Sequence, residues 1–154
     1  MKKYVALSIA LRLSPEVEAL CRRLNTADAS DPLSNFRKPN NYPHITLAMG
    51  VFPYHKLGEV SLAASYATIE DCPVELEILE LYSKESAQIG KEYQLRISKT
   101  PAIVDLHTRI MQAILPYRAA VPASQEMFHV DPDEVWEPNT THWVDGFKDK
   151  TPKS

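Results

Sequence analysis

Apolar and polar positions change period several times along the chain, and each change marks an element. Tyr4 to Leu11 is a nearly continuous apolar, β-compatible run and predicts a first strand. Ser14-Pro15-Glu16 then starts a helix: Ser14 can cap, Pro15 suits the first helical position, and Glu16 favours the positive end of the dipole. Val17, Leu20, Cys21 and Leu24 follow at helical spacing and predict a buried stripe. Residues 25–41 are rich in Asn, Asp, Ser and Pro and read as a loop. Alternation returns in Tyr42-Pro43-His44-Ile45-Thr46-Leu47-Ala48, a short strand with Pro43 at its start, where a missing backbone donor is tolerated. Side chains alternate across a strand, so His44 and Thr46 share one face while Ile45 and Leu47 share the other.

The second half of the pattern has a similar rhythm. A helix is predicted over Lys56 to Thr68, with Leu57, Val60, Ala64 and Ala67 on one side. Val74-Glu75-Leu76-Glu77-Ile78 alternates cleanly and predicts a half-buried strand; Glu75, Glu77 and Glu80 read as its wet side. Tyr93, Leu95 and Ile97 alternate in the next strand. Thr100-Pro101 opens a third helix with Ile103, Leu106, Ile110 and Ile114 as its stripe, and Pro116 closes it. Beyond that Pro122, Pro132 and Pro138 predict a loop-rich end. The order is strand, helix, strand, helix, strand, strand, helix. It predicts a single α+β domain over 1–154, built from two pseudo-repeated lobes at roughly 1–82 and 83–154.

Composition narrows the class. The chain has 154 residues, 44% apolar and 24% charged, close to globular averages and long enough for a proper core. A net charge of -3 argues against a general nucleic-acid coat protein, which carries a basic surface. It leaves room for an enzyme that takes one or a few nucleotides into a small pocket. Cys21 and Cys72 have no C-x-x-C spacing, so reduced thiols in a cytoplasmic protein are expected. The start, Met1-Lys2-Lys3 before YVALSIAL, has too short an apolar run and no small-residue cleavage site to read as a signal peptide. No stretch is long enough to predict a membrane span.

The chemistry concentrates at His44. P-H-I-T-L after an aromatic, about 40 residues beyond an apolar N-terminal strand, resembles the first motif of the two-histidine (2H) phosphoesterases. That superfamily includes the bacterial 2'-5' RNA ligase-like proteins and the cyclic phosphodiesterases. The resemblance implies a bilobal α+β fold with antiparallel sheets around a central cleft, each lobe contributing one H-x-T/S strand. It implies a hydrolase acting on 2',3'-cyclic or 2'-5' phosphodiesters, with an RNA end or a small nucleotide as partner. Two imidazoles on opposite sides of phosphorus can share the acid and base roles near neutral pH, and two hydroxyls can hold the non-bridging oxygens. That scheme requires no metal or other cofactor. His44 and Thr46 would be the first half-site, with Tyr42 beside the substrate.

The second half-site departs from the family pattern. Aligning Pro138-Asn139-Thr140-Thr141 on the motif puts Asn139 where a histidine belongs, and asparagine cannot exchange a proton near neutral pH. A shifted alignment uses His142, with Val144 in place of the hydroxyl residue. In a third alignment Trp143 to Lys148 precedes the true second motif, which would then lie past Ser154. The expected set is therefore His44, Thr46 and His142 for catalysis, with Tyr42, Asn139, Thr141 and Arg96 for binding. Arg96 is out of phase with the apolar residues of its strand and could hold phosphate bidentately, although a solvated face is its commoner fate. Trp136 and Trp143 could stack on a base or anchor the C-terminal loop. His55, His107 and His129 are scattered and lack metal-ligand spacing. A monomer is the expected state.

Overall fold

A computed structural model describes residues 3–27, 43–69, 73–86, 90–129 and 139–147. Along the chain come β1 (Tyr4–Arg12), α1 (Pro15–Ala27), β2 (His44–Pro53), α2 (Leu57–Thr68), β3 (Ile78–Ser86), β4 (Gly90–Ile97), α3 (Pro101–Ile114) and α4 (Asn139–Phe147). The fold class is α+β, as the alternation predicts. β1 pairs with β2 and β3 pairs with β4 in separate two-stranded sheets. The Tyr54 N–H donates to the Lys3 carbonyl at 3.0 Å, bringing the end of β2 to the start of β1, so this pair too runs antiparallel.

These elements divide into two compact units interleaved in sequence: Met1–Ala10, Thr46–Val74 and Pro101–Ser154 in one, Leu11–Ile45 and Glu75–Thr100 in the other. In the first, Leu47, Ala48, Val51 and Phe52 of β2 are buried with Val60 of α2, Ile103, Leu106, Ile110 and Ile114 of α3, and Val144 and Phe147 of α4. The stripe expected on α3 is buried at every position, because a helix that packs along its length needs apolar residues at each turn. Polar contacts fasten this unit as well. Arg109 Nη1 donates to the Ala67 carbonyl in the last turn of α2 at 2.9 Å, which satisfies an orphan acceptor there. The Ala119 N–H donates to the Val51 carbonyl at 2.8 Å, laying the chain after α3 against β2. Asp145 of α4 accepts the Ala123 N–H at 2.9 Å.

The second unit contains α1 and the β3–β4 hairpin. Ser14 caps α1 as expected: its carbonyl accepts the Glu18 N–H at 2.9 Å and its hydroxyl the Val17 N–H at 3.4 Å. The stripe expected to be buried on α1 is not; Val17 and Cys21 are half-buried and Leu20 is 37% exposed. Leu24's side chain lies outside the described residues. The strand expected at Val74–Ile78 begins instead at Ile78, while residues 74–77 are irregular. Alternation alone does not set a register; pairing does. Here Leu81 sits opposite Leu95, Tyr82 opposite Gln94 and Glu80 opposite Arg96, with an irregularity between Ile78 and Glu80.

Candidate functional site

His44 is the first residue of β2 and is exposed, Thr46 is half-buried, and Leu47 and Ala48 are 2% and 0% exposed. The strand thus runs from solvent into the core over a few residues. Its apolar neighbours anchor it, and they hold the imidazole and the hydroxyl on one face at the open end. The division between the two units falls inside β2, between Ile45 and Thr46. Tyr42 lies outside the described residues.

The C-terminal candidates occupy a different kind of element. The segment expected to be loop, or to supply a second H-x-T strand, is the helix α4. Asn139 begins it, Thr141 is half-buried, His142 is exposed and Val144 is 2% exposed. On a helix, neighbours such as Thr141 and His142 diverge around the axis instead of sharing a face. Pro138 directly before Asn139 and the apolar pair Val144 and Phe147, three apart, are the sequence signals that identify this helix. Trp143 is 42% exposed. Trp136 and the residues beyond Phe147 lie outside the described residues.

Arg96 is engaged within its own hairpin. Its Nη1 pairs with Glu80 Oε2 at 2.8 Å, and the guanidinium lies 5.3 Å from the centre of the Tyr82 ring. Tyr82 in turn donates its hydroxyl proton to Gln94 Oε1. This is a cross-strand polar cluster on one face of β3–β4, with exposed Leu79 and Leu81 on the other.

His55 and His129 are exposed, and the His107 ring lies 6.1 Å from that of Phe147 at 53°. Among the described residues, no three His, Cys, Asp or Glu side chains come together in a way that could hold a metal ion. Burial raises the pKa of the Cys21 thiol; a backbone hydrogen bond opposes the rise and the charge of Glu18 adds to it. No helix of the described residues is long and apolar enough to cross a membrane. Comparison of the chain with family models, curated proteins and solved structures finds no match.

Proposed function

We propose that the chain is a phosphodiesterase of the two-histidine type, acting on a 2',3'-cyclic or 2'-5' phosphodiester at an RNA end or in a small nucleotide. The observation that carries this reading is the exposed His44 on the same strand face as Thr46, at the open end of a strand that continues into the core. In this reading His44 exchanges a proton with the attacking or leaving oxygen, and the Thr46 hydroxyl donates a hydrogen bond to a non-bridging oxygen. The reading is tested by hydrolysis of a 2',3'-cyclic nucleotide and of a 2'-5'-linked dinucleotide by the wild type and His44→Ala. Loss of general acid–base catalysis costs a factor of about 10²–10⁴. Equal rates in the two proteins defeat the catalytic role of His44.

A second reading, a nucleotide- or RNA-end-binding module of the same kind, is favoured by the helical form of residues 139–147. A helix in that place offers no H-x-T pair on one face, and a single half-site can hold a phosphate without moving both protons. Saturable binding of a 3'-phosphorylated nucleotide that His44→Ala weakens, with no turnover of either ester, selects this reading over the first.

A further inference from the structure

Helix α2 is apolar on two opposite sides. On one, Val60 is buried and Ala64 and Ala67 are half-buried, the side that packs within its own unit. On the other, Leu62, Ser65, Tyr66 and Ile69 recur at i, i+3, i+4 and i+7 and form a second stripe. Ile69 keeps helical backbone angles, φ −61° and ψ −28°, so it continues that stripe. Leu62 is 56% exposed, Tyr66 67% and Ile69 73%. Apolar residues exposed singly are ordinary, whereas three large ones on one stripe mark a contact surface. The core-facing stripe accounts for the fold of α2 and leaves the outer one without a reason inside the chain.

We propose that a second copy of this chain covers the outer stripe, in a two-fold dimer whose α2 helices cross antiparallel at Ser65, in place of the expected monomer. A two-fold contact uses the same patch on both sides. Leu62 and Ile69 lie three and four residues to either side of Ser65, so the crossing sets Leu62 of each copy against Ile69 of the other. The small Ser65 lets the backbones approach, and Tyr66 flanks the contact. Polar groups near the crossing lose little with their water. The Ser65 hydroxyl donates to the Ser61 carbonyl at 2.9 Å, and the Thr68 hydroxyl to the Ser65 carbonyl at 2.9 Å. Charge favours a copy as the occupant. Glu59 is the only charged residue of α2 and pairs with Lys56 at 2.7 Å, so stripe on stripe sets no like charges opposite one another. A helix that lies on a lipid surface carries Lys or Arg beside its apolar side, and α2 has neither. A face about three turns long falls short of the about 800 Å² per partner of a standard interface, which makes the dimer weak and concentration-dependent.

The test is sedimentation equilibrium of the full chain between about 1 μM and about 1 mM, the range in which weak interfaces fill. The weight-average mass of wild type is expected to rise from the 17.4 kDa of one chain toward twice that value. Leu62→Glu and Ile69→Lys each weaken association by about tenfold or more, because each puts a charge against an apolar partner. Both side chains are wet in the single chain, so thermal melts at low concentration stay close to wild type and show that the variants fold. An equal mixture of the two variants associates more strongly than either alone, because one contact then pairs Glu with Lys and the other keeps Ile69 against Leu62. That recovery is specific to the antiparallel register. A mass that stays at one chain throughout, or folded single variants that associate as wild type does, overturns the proposal. So does a mixture no stronger than its parts. Co-sedimentation of a monomeric wild type with phosphatidylcholine–phosphatidylserine vesicles, lost in Leu62→Glu, gives the stripe to lipid and overturns it as well.

Discussion

At the residue scale, the charges that the structure organises are local ones, and Glu18 is the clearest. It accepts from Arg22 Nη2 at 2.9 Å and from Arg12 Nη2 at 3.4 Å. The hydrogen bond from Arg22 leads in holding its carboxyl below the ordinary value; desolvation opposes it, and a weaker hydrogen bond from Arg12 adds to the lowering. Glu16 is also lowered, by the backbone N–H and the Ser14 hydroxyl at the start of α1. Both groups have depressed folded pKa values. The stability that they contribute is therefore present above the unfolded value of 4.5 and lost as pH falls through the lower folded value. Wild type is expected to be more stable than Glu18→Gln at neutral pH, with the gap closing as pH falls below 4.5 and through the lower folded value. Denaturation midpoints of the two proteins across that range check it, and a gap unchanged in acid shows that the Arg22 contact contributes nothing. Arg96 teaches a related lesson. Its phase in the strand pointed to an outward face, which is correct, but only pairing with β3 shows that Glu80 stands opposite to neutralise it.

At the element scale, the sequence is most legible where one period repeats and one partner covers it. α3 has four apolar residues on one stripe, and all of them are buried. α1 has a comparable pattern, yet Leu20 is 37% exposed, because amphipathic spacing states what a helix could bury and not what is there to cover it. Residues 74–77 alternate more cleanly than residues 78–82, yet pairing such as Leu81 with Leu95 puts the strand in the latter. α4 is hard to read because Asn, Thr and Gly dilute its apolar signal. The element that carries His142 was therefore expected to be a loop, while the one that carries His44 was legible as a strand. The α2–α3 contact offers a test of how such elements are joined. Arg109 caps Ala67 from a neighbouring helix and also pairs with Asp105 on its own helix at 2.8 Å. Arg109→Ala is expected to lose ~1 kcal/mol or more through the capping bond. Asp105→Ala removes only a helical i,i+4 pair and loses ~0.3 kcal/mol. Chemical denaturation of the two variants measures the difference, and equal losses would place the stabilisation in the exposed pair.

At the scale of the whole molecule, the apolar side chains identified as buried belong to one unit: β2, α2, α3 and α4 supply Leu47, Ala48, Val51, Phe52, Val60, Ile103, Leu106, Ile110, Ile114, Val144 and Phe147. In the other unit, Ile78, Leu79 and Leu81 of the hairpin are exposed at 41%, 55% and 45%. A two-stranded hairpin is marginal by itself, so its hydrogen bonds open more readily than those of a strand inside a core. Cooperative unfolding is therefore expected to report on the first unit. Ile110 is 0% exposed, and Ile110→Ala leaves a cavity among α3's neighbours at a cost of about 2–5 kcal/mol. Leu79→Ser removes an already wet side chain and stays within about 0.5 kcal/mol of wild type. Native-state hydrogen exchange supplies the spatial check: amides of β2 and α3 exchange slowest, and those of β3 and β4 exchange well before global unfolding. If the hairpin amides are as protected as those of α3, or Leu79→Ser costs as much as Ile110→Ala, the hairpin is stabilised as strongly as the core. The apolar face of Leu79 and Leu81 then has a cover that their exposure does not reveal.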